Sequence, residues 1–259
     1  MRRWLRITRL VLHIVRGMFI AACFFPFQRA ERRKHEIQHW SAQLLAILAV
    51  RLHVHGAPHD ARPLMVVANH VSWLDIASIN AVLPVRFVAK SEIRQWPCVG
   101  WLSERAGTLF IRRARRRDTA VINGHATGAL LAGDVVAVFP EGAASNGVTV
   151  HKFHSSLLEP AIAVDAAVQP IAIRYERSDG SLCSEAVYAD DRWTWDVLLA
   201  MTTQRAIEAH VWFLEPILHA QRHRRELASE AREAIVRTLF REAPHNHTET
   251  AGDRRAAAH

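Results

Sequence analysis

Short apolar runs alternate with longer helical patterns from about residue 52 to residue 217, and this alternation constrains the fold more than any other feature. Runs rich in Val and Ile without polar alternation are typical of strands buried on both faces, as in parallel sheets covered by helices. The pattern therefore predicts an α/β domain with a mostly parallel or mixed sheet covered by helices. The predicted strands are Leu52–His55, Leu64–Ala68, Arg86–Ala89, Thr108–Ile111, Val135–Phe139, Ile171–Tyr175 and His210–Leu214.

Helical periodicity fills the intervals between these strands. The predicted helices are Asp75–Val82, Arg94–Ala106, Asp118–Leu131, Ser156–Ala167, Trp193–Met201 and a final amphipathic helix over Arg222–Phe240. The segment 243–259 is polar and is expected to fray. We therefore expect three parts, which are N-terminal helices over 1–52, an α/β domain over 53–242 and a polar tail over 243–259.

The N-terminus combines basic and apolar residues in a way that is typical of membrane contact. Arg2, Arg3, Arg6 and Arg9 precede an apolar run over Leu10–Phe27, which contains Arg16. A spanning helix needs about 20 apolar residues, and the 18 positions of this run fall short of that. The pattern favours a helix lying in or dipping into the membrane, with its arginines at anionic headgroups. A single span, a cleaved signal peptide and a soluble helical hairpin formed with a second helix over Glu31–Leu52 stay open.

The net charge of +8 rests on 33 basic residues, of which only Lys34, Lys90 and Lys152 are lysines. Net charge alone does not choose among nucleic acid, anionic lipid and small anions as partners. The chain shows no helix-turn-helix, zinc or aromatic-interleaved basic pattern, so we expect no nucleic-acid partner. Three scattered cysteines exclude a disulfide framework, and the scattered histidines predict no metal site. No cofactor is expected.

A first motif follows the strand Leu64–Ala68 directly, because the chain continues as Asn69-His70 and reaches Asp75 five residues later. Strand ends are where open α/β sheets build their sites. A turn there brings the Asp75 carboxylate to one ring nitrogen of His70 and leaves the other to accept a proton. The alternative is a histidine that caps the next helix, with Asp75 as a first-turn acid.

Two further motifs end predicted strands. The block Gly107-Thr108-Leu109-Phe110-Ile111-Arg112-Arg113 leads into Arg115, Arg116 and Arg117, and guanidinium groups suit phosphate or membrane contact. The strand Val135–Phe139 stops in Pro140-Glu141-Gly142, where Gly142 permits close backbone approach to a ligand. Glu141 could accept hydrogen bonds from a substrate or anchor the site loop. A solvated basic face and an ordinary turn are the alternatives.

Taken together, these blocks resemble the glycerolipid acyltransferase family typified by 1-acyl-sn-glycerol-3-phosphate acyltransferase. The family pattern is N-H-x4-D, then G-x-x-F-I-x-R, then F-P-E-G, then a short hydrophobic strand with proline, which is Val168-Gln169-Pro170-Ile171 here. The resemblance covers roughly residues 40–215 and implies a mechanism without a covalent acyl-enzyme. A fatty acyl chain would move from a thioester of acyl-carrier protein or CoA to a lysolipid hydroxyl, with an extended apolar groove holding the chain.

The same resemblance assigns roles to residues. His70 would be the general base, and Asp75 would orient its imidazole ring. The residues that would bind substrate are Asn69, Phe110, Arg113, Glu141, Gly142 and Lys152. Ser72 lies inside the first block and offers a serine nucleophile as an alternative. The resemblance also implies association with the cytoplasmic face of a bacterial inner membrane, with an anionic membrane surface as a partner.

One departure from the family pattern bears on the acceptor. The family usually reads T-R-S after F-P-E-G, whereas this chain has Ala143-Ala144-Ser145, so the arginine that helps bind the acceptor phosphate is missing. The lyso-ornithine lipid acyltransferases, a related branch, have small residues there followed by a D/N-G turn, as in Asn146-Gly147. Both acceptors stay open, and the missing arginine makes lysophosphatidic acid the less favoured of the two. A non-catalytic lipid-binding protein that keeps the fold is the alternative class.

Overall fold

The computed structural model describes residues 2–111, 116–187, 199–218 and 223–241. The strands are β1 (Val50–His55), β2 (Leu64–Ala68), β3 (Arg86–Lys90), β4 (Leu109–Ile111), β5 (Val136–Val138), β6 (Ala167–Glu176) and β7 (Ile207–Phe213). Every predicted strand is present, and the largest change is at β6, which begins before its predicted start. The extra residues belong to the segment Ala167–Pro170, which pairs with β2.

The strands form one mixed sheet in the order β1-β7-β6-β2-β5-β3-β4. Every neighbouring pair is parallel except β6 with β7. The predicted mostly parallel or mixed sheet is therefore confirmed. Strands β6, β2, β5, β3 and β4 run in the same direction, so their carboxyl ends lie at one edge of the sheet.

The helices are α1 (Arg2–Cys23), α2 (Ala30–Ile47), α3 (Leu74–Asn80), α4 (Val99–Arg105), α5 (Arg116–Leu131), α6 (Glu159–Ala163) and α7 (Arg224–Arg241). Short 3-10 turns cover Phe25–Phe27, Ser91–Gln95 and Ser155–Leu158. The apolar residues divide into two clusters. Residues of α1, α2 and α3 pack on one face of the sheet, and residues of α5, α6 and α7 pack on the other.

Three predicted helices have different bounds for local reasons. The helix predicted over Arg94–Ala106 is divided at Pro97, since proline cannot donate the helical hydrogen bond. The helix predicted over Ser156–Ala167 is a 3-10 turn plus α6 and ends at Ala163, because β6 begins at Ala167. The second N-terminal helix ends at Ile47, and Ala49 has a φ of 57° where the chain turns into β1.

Some predicted features fall outside the described residues. These are Arg113 with its neighbours Arg112 and Arg115, most of the helix Trp193–Met201, and the tail 243–259.

Helix α1 is apolar on two faces. Its buried side packs toward α2 through Leu10, His13 and Ala21, and through Gly17, where an added Cβ would lie 2.5 Å from Trp40 Nε1. The exposed side carries Trp4, Leu5, Val11, Leu12, Val15 and Phe19. Among the described residues, one segment, Arg3–Phe27, is long and apolar enough to cross a membrane.

The arginines of α1 do not all point away from the protein. Arg6 donates to the backbone carbonyls of Thr202 and Arg205, and Arg16 donates to Gln43 Oε1 on α2 at 2.7 Å. Carbonyls at the turn before β7 accept from the Arg6 guanidinium, so this arginine also ties α1 to the α/β domain. Arg3 and Arg9 are exposed.

Candidate active site

The predicted site residues gather at the carboxyl edge of the parallel strands. His70 follows the end of β2, and Glu141 follows β5, which is the neighbour of β2 in the sheet. The loop after β5 is held against the first motif, because Ser145 N–H donates to the carbonyl of His70 at 2.7 Å. The two motifs, which lie 71 residues apart in sequence, therefore form one site.

Asp75 is a buried carboxylate with a full set of donors. Its Oδ2 accepts from Nδ1 of His70 at 2.7 Å and from the backbone N–H groups of Val71 at 2.8 Å and Ser72 at 2.9 Å. Its Oδ1 accepts from the hydroxyl of Tyr175 at 2.8 Å. Two backbone N–H groups can only donate, so Oδ2 serves as an acceptor in all three of its contacts.

This carboxylate fixes the tautomer of His70. Nδ1 carries the proton that it donates to Asp75, so Nε2 keeps its lone pair in the neutral ring. The His70 side chain is 23% exposed, whereas that of Asp75 is fully buried. Solvent or a ligand can therefore reach the His70 ring, whereas the Asp75 carboxylate is closed to both.

Aromatic rings hold the imidazole plane. The rings of His70 and Phe139 stack with centroids 4.3 Å apart, and Phe139 stacks in turn on Phe87 at 5.6 Å. Phe139 belongs to the F-P-E-G motif, but its contact with the histidine ring was not part of the sequence prediction. The stack restricts rotation of the His70 ring and keeps Nε2 aimed at one region of the site.

Glu141 anchors the backbone of the site. Its Oε1 accepts from the N–H of His70 at 2.7 Å, and its Oε2 accepts from the N–H of His151 at 2.7 Å. Burial raises the pKa of the Glu141 carboxyl, and the two backbone N–H groups oppose that shift. Of the two roles predicted for Glu141, the structure supports that of a loop anchor, since both carboxylate oxygens are engaged by backbone.

Asn69 is part of the sheet rather than of the substrate surface. Its amide donates to the carbonyl of Ile173 at 2.9 Å and accepts from the N–H of Ile173 at 2.8 Å, and the residue is 1% exposed. The side chain thereby continues the pairing of β2 with β6 beyond Ala68. Both ends of the amide bond backbone, which supports a structural role for Asn69 in the sheet, and its predicted contact with substrate stays a prediction.

The other predicted residues are placed less centrally. Phe110 is half-buried on β4, which lies three strands from β2, or about 14 Å at the usual strand spacing. Lys152 is exposed on a loop that is held by His151 N–H at Glu141 and by His154 N–H at the Pro140 carbonyl. Gly142 has a φ of 85°, which favours glycine.

Ser72 does not resemble an activated nucleophile. Its side chain is fully buried, and its Oγ accepts a long contact of 3.4 Å from the N–H of Leu74 at the start of α3. Its backbone N–H is used by Asp75. These contacts support a role in shaping the turn that leads into α3.

Tyr175 is the functional residue that sequence reasoning missed. It is fully buried on β6, 100 residues from Asp75, and burial raises its pKa well above the ordinary value of a tyrosine. It therefore stays protonated and donates to the carboxylate, while Ser78 Oγ lies 3.3 Å from its hydroxyl. A lone tyrosine in a strand carries no motif, so only the fold could reveal this contact.

A cavity of about 610 Å³ lies between helices α1 to α4. Its lining is largely apolar and includes Leu10, Ile14, Trp40, Trp73, Ala77 and Phe87. Phe87 connects the cavity wall to the site, because it stacks on Phe139, which stacks on His70. The volume falls within the range of about 300–1,000 Å³ that ligand pockets occupy.

Within the described residues, no group of three or more His, Cys, Asp or Glu side chains is arranged to hold a metal ion. The histidines His53, His55 and His210 lie together on β1 and β7, but their rings stack on one another and on Trp212.

Comparisons with known proteins all identify acyltransferases as relatives of this chain. A family model described as Acyltransferase matches residues 51–174. A lyso-ornithine lipid O-acyltransferase of Pseudomonas aeruginosa is 36% identical over 97% of this chain and 98% of its own length. A 1-acyl-sn-glycerol-3-phosphate acyltransferase of Neisseria meningitidis is 38% identical over 62% of this chain and 63% of its own. The crystal structure of the 1-acyl-sn-glycerophosphate acyltransferase of Thermotoga maritima superposes with a TM-score of 0.62 at 23% identity, covering 90% of this chain and 96% of that one.

Proposed function

The chain belongs to the acyltransferase family, and from this premise we propose that it is a lysolipid O-acyltransferase in which His70 and Asp75 act as a general-base pair. The single observation that carries the proposal is the buried Asp75 carboxylate bonded to Nδ1 of a solvent-reachable His70. This arrangement leaves one basic nitrogen at the edge of the sheet where the family motifs meet.

The proposed reaction begins with proton transfer to Nε2 of His70. Nε2 of His70 takes the proton of the acceptor hydroxyl as the oxygen attacks the carbonyl carbon of a fatty acyl thioester. A new C–O ester bond forms, the C–S bond breaks, and the imidazolium returns the proton to the thiolate that leaves. Asp75 stabilises the imidazolium between these two transfers. The step needs no covalent acyl-enzyme, and the buried contacts of Ser72 are consistent with that.

The apolar cavity between α1 and α4 is the proposed site of a fatty acyl chain. Its wall includes Trp73, three residues after His70, and Phe87, which reaches the imidazole through Phe139. A chain placed there would bring a carbonyl group toward Nε2. The donor is proposed to be a thioester of acyl-carrier protein or of CoA.

We propose lyso-ornithine lipid as the preferred acceptor. Ala144 supports this, because it precedes Ser145, whose N–H bonds the His70 carbonyl, so position 144 lies beside the base. An arginine there could form bidentate bonds to a phosphomonoester, whereas alanine offers no charge. A relative that matches nearly the whole chain is a lyso-ornithine lipid O-acyltransferase, which supports the same acceptor.

Lysophosphatidic acid is the second candidate. Lys152 favours it, since this exposed cation lies on the loop that Glu141 and Pro140 hold next to the base. A lysine can bind a phosphate as a point charge.

The proposed placement of the protein is at a membrane surface, and in a bacterium this would be the cytoplasmic face of the inner membrane. The exposed apolar side of α1, with Trp4, Leu12 and Phe19 among its residues, supports interfacial burial. The proposed organisation is an N-terminal membrane-associated part over 1–52, the α/β acyltransferase domain over 53–242 and a tail over 243–259.

An acceptor panel tests the proposal. The full chain in vesicles would receive a fatty acyl thioester of acyl-carrier protein or of CoA, in separate assays, together with lyso-ornithine lipid, lysophosphatidic acid or another lysolipid. We expect ester formation with a lysolipid, fastest with lyso-ornithine lipid. Strict preference for lysophosphatidic acid would contradict the acceptor assignment, and no transfer to any lysolipid from either donor would contradict the function.

A further inference from the structure

A second cavity, of about 690 Å³, lies at the opposite edge of the sheet from His70. It is lined by Arg86 at the start of β3, by Gly107 just before β4 and by Val135 just before β5, which are the amino ends of these strands. The base, by contrast, follows the carboxyl end of β2. The cavity shares Phe25, Ile37, Val85 and Ala106 with the apolar cavity proposed for the acyl chain, but its charged residues lie at the edge of the sheet opposite to His70.

Two cationic side chains that line the cavity are held in place by an acidic one. Asp134 holds two cations, with Lys34 Nζ at 3.4 Å and Arg86 Nη1 at 3.3 Å. Arg86 also donates through Nε to the carbonyl of Gly107 at 2.9 Å. Gly107 has a φ of 86°, and an added Cβ would lie 3.1 Å from Arg86 Nε. The glycine of the G-x-x-F-I motif thus makes room for this guanidinium.

Two further guanidinium groups line the same cavity, and no described acidic side chain neutralises their charge. Arg33 donates through Nε to the carbonyl of Gln28 at 3.1 Å, and Arg105 lies over the ring of Trp101 at 5.2 Å. Neither is paired with a carboxylate in the described part of the chain. The lining holds four cations and two acids, Glu104 and Asp134, and Glu104 is bonded to Arg94 at 2.6 Å. The cavity therefore favours an anion.

The surroundings indicate which anion. Phe25 and Pro26 of the turn between α1 and α2 line the cavity. Beside them Phe24 is 49% exposed and Phe27 is 88% exposed. Exposed aromatic residues next to guanidinium groups match the boundary between acyl chains and headgroups. Planar guanidinium groups suit phosphate through paired charge-assisted bonds.

We propose that this cavity, which we call the elbow site, binds the phosphate group of an anionic phospholipid and so fixes the α1–α2 turn on the membrane. The proposal rests on the membrane contact of α1 proposed above and adds a defined headgroup site remote from the chemistry. A soluble phosphate carries the same chemical group, and the exposed Phe24 and Phe27 favour the lipid as its source.

The test compares two double variants of the full chain that lose the same charge. Arg33→Gln with Arg105→Gln removes the unpaired cations of the elbow site. Arg225→Gln with Arg237→Gln removes two exposed arginines from α7, which packs on the other face of the sheet. Each protein is mixed with vesicles of phosphatidylglycerol or of phosphatidylcholine, and the lipids retained by the protein are counted by native mass spectrometry.

We expect the elbow variant to lose one bound phosphatidylglycerol and to bind anionic vesicles about tenfold more weakly or worse, while the α7 variant keeps both properties. Equal losses in the two variants, or no loss in either, would overturn the site. Inorganic phosphate provides the second arm. If it binds wild type as tightly without lipid as phosphatidylglycerol does, and fails to bind the elbow variant, the lipid is the wrong occupant.

Acyl transfer measured in detergent separates this proposal from the proposed function. We expect the elbow variant to keep wild-type turnover there, since its substitutions lie at the edge of the sheet remote from His70. The lipid count decides the elbow site even in a protein that transfers no acyl group.

Discussion

Tyr175 donates its hydroxyl hydrogen to Oδ1 of Asp75 at 2.8 Å, from a strand 100 residues away, while Oδ2 of the same carboxylate receives His70. The contact joins β6 to the first turn of α3, next to His70. The orientation of His70 therefore depends on a residue that does not itself face the substrate.

Replacing Tyr175 with phenylalanine should weaken both folding and transfer. The change removes one donor from a buried carboxylate, and a hydrogen bond to a charged group contributes about 1.5–3 kcal/mol. We expect the free energy of unfolding to fall by about that amount, and kcat to fall about tenfold because Asp75 is held less firmly. Ser78→Ala, which leaves the Tyr175–Asp75 bond in place, is the matched control. Equal effects of the two variants on kcat would contradict this role.

Glu141 should make the stability of the protein depend on pH in a defined direction. Burial raises the pKa of its carboxyl above the usual 4.5, so the folded protein binds this proton more tightly than the unfolded chain does. The contribution of Glu141 to the free energy of unfolding is therefore greatest below pH 4.5 and falls as pH rises through the folded-state pKa.

Glu141→Gln removes this titration, and it also loses one acceptor for a backbone N–H. Denaturant unfolding of both proteins from about pH 4 to pH 7 isolates the effect, since other groups cancel in the difference. We expect the advantage of wild type over the variant to shrink as pH rises. An advantage that stays constant or grows would show that the carboxyl pKa is not raised.

Ala144→Arg should shift the acceptor preference toward lysophosphatidic acid. The new guanidinium would lie on the loop that Ser145 joins to His70 and could bind a phosphomonoester. We expect the ratio of kcat/KM for lysophosphatidic acid over lyso-ornithine lipid to rise about tenfold. Val148→Arg adds the same charge at an exposed position of that loop and should leave the ratio unchanged. If the two variants behave alike, position 144 does not determine the acceptor.

Ala77→Phe should reduce the use of long acyl chains. Ala77 lies on α3 one turn after Trp73, and both line the apolar cavity. A phenyl ring there would occupy space proposed for the chain, so kcat/KM should fall more for long-chain than for short-chain donors. Ala120→Phe, at an exposed position of α5, is the control. Uniform loss across chain lengths would argue that the cavity does not hold the chain.

Much of the scaffold could be predicted, because burial on both faces of a parallel sheet selects continuous apolar runs such as Leu64–Ala68. The approach of His70 to Asp75 was also predictable, since five residues span one turn at a strand end. The ends of the helices were harder to predict. Pro97 divides a stretch that reads as one periodic helix, and Ala49 takes a φ of 57° that no local pattern requires.

Contacts between distant segments could not be predicted from the sequence. Asn69 lies in the first motif, yet its amide completes the pairing with Ile173, which only the strand order reveals. Tyr175 and Phe139 act on the His-Asp pair through partners far along the chain. Arg6 resembles a headgroup ligand in sequence but meets carbonyls before β7. In each case a polar or aromatic side chain forms a hydrogen bond or a ring contact with a backbone group or a side chain from another segment.

The most direct test of the account is acyl transfer by His70→Ala in the full chain, with a fatty acyl thioester and lyso-ornithine lipid or lysophosphatidic acid in vesicles. His154→Ala, an exposed histidine near the site, is the control. We expect the first variant to fold like wild type and to lose about 100-fold or more of its turnover, as loss of a general base requires, while the control stays active. A folded His70→Ala protein that transfers acyl groups at the wild-type rate would contradict the account.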